Sequence, residues 1–199
     1  MSTLTSAPSG TDSTPWRRLA AAISRCRRCP LGATREHAVI YRGGLRPMVV
    51  LVGEAPGAAE DRAGLPFVGR SGRRLDAALG SAGLAPEEFG IINLLKCRPP
   101  GNRFDPKAAA TCRPYLDRQL DLLAPRLTVP LGARALRALD PTAPPITQCA
   151  GRPRDGGSRP LFPMLHPAAP LHNPLLRARW TTDVARLGAA VGALREKES

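Results

Sequence analysis

The sequence predicts an α/β fold of three layers, with a central four-stranded, mainly parallel sheet between helices. Three observations carry this. "MVVLVG" (48–53), "GIINLL" (90–95), "RLTVPLG" (126–132) and "PLFPMLH" (160–166) are short apolar runs, the mark of strands buried on both faces. Segments of helical length separate them, as parallel pairing requires. The strands run into "GEAPG", "NLLKCRPPGNR", "PLGAR" and "LHPAAPLHNP", turn-rich segments at the carboxyl ends where such sheets bind ligands.

The elements follow in chain order. "MSTLTSAPSGTDSTP" has no charged region leading into an apolar core, so it predicts a disordered tail over 1–13, not a secretory signal. A cytoplasmic protein with one domain over 14–199 is the expectation. A first helix runs from about Pro15 to Ser24, ahead of "CRRCPLG", and "AVIY" reads as an edge strand. After the first buried strand comes "GEAPGAAEDRAGLPFVGRSG", Gly53 to Gly72, then a helix over roughly Gly69–Ala82. Asp105-Pro106 starts a helix through about Leu123, since an acceptor side chain followed by proline suits a helix start. "ARALRAL" is a short helix after the third strand. Asp140 to Pro160 reads as a surface loop, and the last helix covers about Pro174–Glu196. No apolar run is long enough to span a bilayer.

The net charge is +13, and of 29 basic residues only Lys96, Lys107 and Lys197 are lysines. Such a field favours a polyanion as partner, nucleic acid above all. The abundance of Arg, Ala, Gly and Pro together also fits high-GC coding, so the charge supports that reading without carrying it.

Cys26 and Cys29 form a C-x2-C pair, and Cys97 and Cys112 lie far downstream. Two close and two distant cysteines can close one four-thiolate site, for zinc or for a [4Fe–4S] cluster, and spacing does not choose between them. The pair sits in an arginine-rich turn rather than an apolar run, which argues against buried thiols of no consequence. Cys149 has no partner and reads as a free thiol.

"GEAPGAAEDRAGLPFVGRSG", "NLLKCRPPGNR" and "LHPA", in this order and with these cysteines around them, closely resemble the family 4, iron–sulfur type of uracil-DNA glycosylase. The resemblance runs from about Arg25 to the last helix. It implies a [4Fe–4S] cluster on Cys26, Cys29, Cys97 and Cys112 that orders nearby DNA-binding loops. It also implies an enzyme that removes uracil from single- or double-stranded DNA, acts as a monomer and leaves an abasic site for base excision repair.

The residues fit that chemistry. A flipped base needs a flat apolar platform, which Phe67 in "LPFVG" supplies. Uracil offers N3–H as donor and O4 as acceptor, and cytosine reverses both, so one fixed amide, Asn93, can tell them apart. His166 in "LHPA" is the donor expected at uracil O2 as negative charge develops there. Glu54 is implied beside the sugar, where a carboxylate positions water or stabilises the cation. Family 1 glycosylases read "GQDPYH". Aligned on Gly53 and Pro56, their water-activating aspartate becomes Ala55, and the tyrosine that excludes thymine becomes Gly57. Glu60 is the candidate to fill that space, and Leu171 the nearest apolar wedge for the duplex gap. Family 4 members commonly carry an aromatic near Ala169, which this chain lacks. Phosphate contacts are expected from Arg70, Arg73, Arg74, Arg98 and Arg103.

Two other readings compete. One superfamily branch traps uracil-DNA covalently through a histidine in an inserted "KRRIH" loop, and no such segment is present here. A non-catalytic nucleic-acid-binding metal module would explain charge and cysteines, but has no need of Asn93, His166 and Phe67 at separate strand ends.

Overall fold

The computed structural model describes residues 14–44, 46–157 and 159–197. The tail expected over 1–13 lies outside them. In chain order the elements are α1 (Thr14–Ser24), α2 (Leu31–Thr34), β1 (Arg42–Gly43), β2 (Val49–Gly53), α3 (Ala58–Ala63), α4 (Arg70–Ser81) and β3 (Phe89–Asn93). Then come α5 (Pro106–Leu123), β4 (Leu127–Pro130), α6 (Ala133–Leu139), α7 (Ile146–Cys149), β5 (Arg154–Asp155), β6 (Pro160–Leu161), α8 (Ala169–His172) and α9 (Arg177–Glu196). Single 3-10 turns cover Pro100–Asn102 and Pro174–Leu176.

The strands form one sheet in the order β1-β3-β2-β4-β6-β5. The four expected strands make its parallel centre, and β1 and β5 add short antiparallel edges. Alternation along β2 generates the three layers, because successive side chains leave a strand on opposite faces. Val49 and Leu51 pack with Leu75 and Leu79 of α4 and with Trp180, Val184 and Leu187 of α9. Val50 and Val52 pack with Trp16 of α1, Leu116 and Leu120 of α5 and Ala135 of α6. All five β2 residues are buried, which explains the uninterrupted apolar run.

Two local expectations are corrected. "AVIY" is not a strand; edge pairing falls on Arg42 and Gly43. Tyr41 instead packs edge-on against Trp16 at 5.1 Å, and the Ile40 carbonyl accepts from Gln119 Nε2 at 2.8 Å. This segment is therefore held by Gln119 of α5 and by a hydrogen bond from Val39 N–H to the Lys96 carbonyl at 2.8 Å, outside any strand ladder. The stretch Asp140 to Pro160 contains α7 and β5, held by an ion pair of Arg154 with Asp140 at 2.7 Å. Helix starts follow their local chemistry. Asp105 Oδ1 accepts from the backbone N–H of Lys107 and Ala108 at 2.9 and 3.0 Å, capping α5.

Register brings the motif loops together. Gly53 pairs with Asn93 at the carboxyl ends of β2 and β3, so "GEAPG" leaves the sheet beside the start of "NLLKC". The N–H groups of Leu94 and Leu95 then donate to the Gly53 and Glu54 carbonyls at 2.9 and 3.0 Å. Leu131 bridges Met164 in parallel, and Gly132 N–H donates to the Met164 carbonyl at 2.8 Å, which sets "PLGAR" against "LHPA".

Candidate functional site

The segments leaving β2, β3 and β6 surround a cleft of about 580 Å³. Glu54, Ala55, Glu60, Phe67, Asn93 and His166 all line it, with Asn102, Leu171 and His172 at its margins.

Asn93 is 1% exposed, yet neither Oδ1 nor Nδ2 has a hydrogen-bond partner. Buried polar side chains are seldom left unpaired, so an orphaned amide on a cleft wall is equipped for a ligand. Gly53 makes room for it. A Cβ at Gly53 would stand 2.3 Å from Asn93 Oδ1 and 2.5 Å from Phe67 Cε2. The amide and the ring therefore converge over a backbone position that tolerates no side chain.

Phe67 adopts φ 55°, in the left-handed region that costs an ordinary residue energy. Its surroundings hold it there. Glu60 Oε1 accepts from the N–H groups of Val68 and Gly69 at 2.9 and 2.8 Å, and Oε2 from Gly57 N–H at 3.1 Å. One carboxylate thus clasps both ends of the α3 loop. Gly72 of α4 lies so close to the Phe67 carbonyl that an added Cβ would overlap it. Asp61 is buried as well, and accepts from Glu36 N–H at 3.1 Å, tying α3 to the segment before β1.

The His166 ring stands 5.8 Å from the Phe67 ring, tilted by 36°. Its Nδ1 accepts from Ala168 N–H at 3.2 Å. A neutral ring accepting at Nδ1 carries its proton on Nε2 and presents a donor there. Burial, helped by the charge of His172, pushes the His166 pKa down to about 4. The imidazole is therefore neutral at ordinary pH.

Glu54 is ion-paired with Arg134 of α6 at 2.5 Å, and the Arg134 guanidinium also stacks over Phe104 at 4.6 Å. Sequence reasoning singled out "PLGAR" as a strand end but no residue within it. A basic residue two positions after that strand's glycine was the available signal. His37 stands apart from the cleft, its Nδ1 3.0 Å from the Asp61 carbonyl oxygen.

A second groove opens from the cleft, sharing Arg70 and Leu171 with it. Arg70, Arg73 and Arg74 of α4 line one side, and Trp180, Thr181 and Val184 of α9 the other. Among the described residues none of these three arginines is ion-paired with a carboxylate, unlike Arg42, Arg113, Arg134, Arg154, Arg159 and Arg195. Leu171 is 37% exposed at the junction. Arg98 is bound to Asn102 Oδ1 at 2.9 Å, at the margin of the cleft.

Cys26, Cys29, Cys97 and Cys112 line one cavity beneath the cleft loops, with Arg28, Arg35 and Lys96 around them. Among the described residues no carboxylate lines it, and Arg35 Nη1 donates to Cys97 Sγ at 2.8 Å. Burial pushes the Cys97 and Cys112 thiols up, against the pull of Arg35 and Lys96. Burial also pushes Lys96 down to about 8, while Cys112 and Cys97 oppose that shift. Among the described residues, no three His, Cys, Asp or Glu side chains converge on a single-ion site; the four thiols ring a shared space instead. Four thiols among three cations suit a polyanionic, thiolate-held group. Cys149 is kept away from them, near the Pro144 and Pro145 carbonyls. Ala55 packs against this cysteine layer from the cleft side.

Comparison with known proteins gives the family. The family model described as the Uracil DNA glycosylase superfamily matches residues 41–186, and the chain belongs to that superfamily. Within it, the chain is similar to proteins named Type-4 uracil-DNA glycosylase. It is 39% identical over 154 residues to that of Thermotoga maritima, covering 76% of this chain and 80% of the relative. It is 37% identical over 179 residues to that of Archaeoglobus fulgidus, covering 85% and 90%. A Type-5 uracil-DNA glycosylase of Mycobacterium tuberculosis is 32% identical over 152 residues, covering 59% of this chain and 57% of the relative. Among the described residues, no helix is long and apolar enough to cross a membrane.

Proposed function

We propose that this chain removes uracil from DNA by hydrolysing the N-glycosidic bond, leaving an abasic site for base excision repair. The observation that carries the reading is the buried, unpartnered amide of Asn93, opening on a cleft beside the Phe67 ring and the His166 imidazole. A base drawn from the stack loses its pairing partners. Asn93 replaces them, with Nδ2 donating to uracil O4 and Oδ1 accepting from N3–H. Cytosine would face donor with donor and acceptor with acceptor.

Phe67 is the stacking platform. As the bond breaks, negative charge moves onto the base and positive charge onto the sugar. His166 Nε2–H donates to uracil O2, and a neutral donor serves here because no proton has to leave it. Glu54 lies against the developing cation and orients water, while Arg134 holds its carboxylate in place. Ala55 leaves a carboxylate-free position in the same loop, and the Glu60 carboxylate is engaged by three backbone N–H groups, which leaves the role to Glu54. Glu60 acts through the loop it clasps, and thereby shapes the space around the base. The arginines of α4 neutralise phosphates along the groove, and Leu171 is the exposed apolar group shared by groove and cleft.

Cys26, Cys29, Cys97 and Cys112 would hold a [4Fe–4S] cluster, a choice supported by the resemblance in the cysteine pattern and by the cationic cavity. When bound, the cluster would cross-link the segment after α1, the segment after β3 and α5. An iron-dependent absorbance band with acid-labile sulfide in the purified protein is the expected result. Stoichiometric zinc without iron would overturn this assignment.

The test of function is a uracil-containing oligonucleotide incubated with cluster-loaded protein and then treated with alkali. A strand break at the uracil position is expected. Intact strands from folded, loaded protein would sink the proposal. An adduct surviving denaturing electrophoresis would point to the covalent branch instead.

A further inference from the structure

Lys96 is 1% exposed, between Asn93 and Cys97 in the chain. An ammonium buried so deeply needs charge and hydrogen bonds to offset its lost hydration. Among the described residues no carboxylate is ion-paired with it. Its partners belong to two different sites. Nζ donates to the main-chain oxygen of Asn93 at 2.5 Å. Lys96 also lines the cysteine cavity, where Cys112, Cys97 and then Asp117 of α5 favour its charged form, and its backbone is hydrogen-bonded to the Cys112 thiol.

Asn93 is the residue that most needs such support. With neither side-chain atom hydrogen-bonded, its amide takes its direction from its backbone and from packing over Gly53. Small displacements of a recognition group cost much of its effect.

We propose that Lys96 is a positioning residue: anchored among the cysteine ligands, its ammonium fixes the Asn93 main chain and so aims the base-reading amide. This rests on the functional reading above. It makes the cysteine centre a support for base recognition as well as for the DNA-binding loops. The contact runs through one side chain, so it can be cut without touching a cysteine or a cleft residue.

Lys96→Met keeps the apolar stem and removes donor and charge; Lys96→Gln keeps a donor. Both are made in the full chain, alone and with Asn93→Ala. Single-turnover base release is measured for each, with the visible spectrum and iron content of each protein as isolated. Lys96→Met is expected to slow base release by about tenfold or more alone, and by less than about threefold in the Asn93→Ala background, because coupled residues fail to add. Lys96→Gln should recover part of the rate, which a space-filling role would not give. An altered thiolate-to-iron band at unchanged iron content is expected for Lys96→Met. Equal losses in both backgrounds, or no loss at all, would overturn the proposal. Should circular dichroism show Lys96→Met unfolded, the Lys96→Gln cycle is read by the same criterion. Should the wild-type chain release no uracil, the functional reading fails by itself. The spectral comparison then decides for Lys96, and an unchanged band overturns its anchoring.

Discussion

The Phe67 and His166 rings stand 5.8 Å apart at a tilt of 36°, one from the loop before α4 and the other from the loop after β6. The pair sets the electrostatics of the cleft. An apolar ring beside the imidazole contributes to the burial that holds His166 near pKa 4, so its proton stays on Nε2 across the neutral range.

A pH dependence follows, with a definite sign. His166 is neutral in the folded chain down to about pH 4, whereas an unfolded histidine protonates near 6.5. Between those values the unfolded state binds more protons, so stability falls as pH drops from about 6.5 to about 4 and levels off below. The shift corresponds to on the order of 3 kcal/mol at full extent. Chemical denaturation of wild type and His166→Asn across this window measures it: the wild type should show the extra loss and the variant should not. As far as His166 governs the rate, base release holds between pH 8 and 5 and drops through pH 4.

Gly53→Ala is predicted to disable the site more than the fold. Its Cβ would meet Asn93 Oδ1 at 2.3 Å and Phe67 Cε2 at 2.5 Å, so both must move. Overpacking of this kind costs about 1–3 kcal/mol. Melting should fall modestly while single-turnover base release drops by about two orders of magnitude, near the loss of one transition-state donor. Wild-type rates from Gly53→Ala would contradict the packing described here.

Glu60→Gln tests the loop clasp. The amide offers one acceptor oxygen where the carboxylate serves three N–H groups through two. A loss of about 1–3 kcal/mol is expected from the unsatisfied donors. Proteolysis or hydrogen exchange should locate the loosening between Gly57 and Gly69. Loosening spread over the whole chain would count against a local clasp.

Salt dependence tests the α4 groove. Each phosphate neutralised steepens the fall of log affinity against log salt by about 0.9 on duplex and about 0.7 on single strands. Arg73→Ala and Arg74→Ala should each flatten the slope by about that much, equally on uracil-containing and uracil-free DNA. An unchanged slope would remove them from the interface.

Much of this was legible in the sequence. The runs around Val50, Ile92, Val129 and Phe162 announced buried parallel strands because both faces of each are covered. Asp105-Pro106 announced α5 because capping is local chemistry. "AVIY" misled because its apolar residues serve packing on α1, which period alone does not distinguish from pairing. The short helices α2, α3, α7 and α8 were unreadable, having too few residues to show a period. At the site, Asn93, Phe67 and His166 stood out by motif. The partnerships of Glu54 with Arg134 and of Lys96 with Asn93 did not, since ion pairs and buried contacts between segments depend on the fold. The contact of Asp61 with the distant backbone of Glu36 is of the same kind.

The parallel register of β2 carries a kinetic corollary. No hairpin closes any strand pair that builds the cleft; β3, β4 and β6 each return to the sheet through a crossover. Pairings of large sequence separation form late and slowly, because loop-closure entropy precedes any gain in contacts. Glu54 and His166 therefore meet only when β6 has docked. In a refolding experiment, recovered turnover would be a clock for closure of the sheet, trailing the return of helical signal.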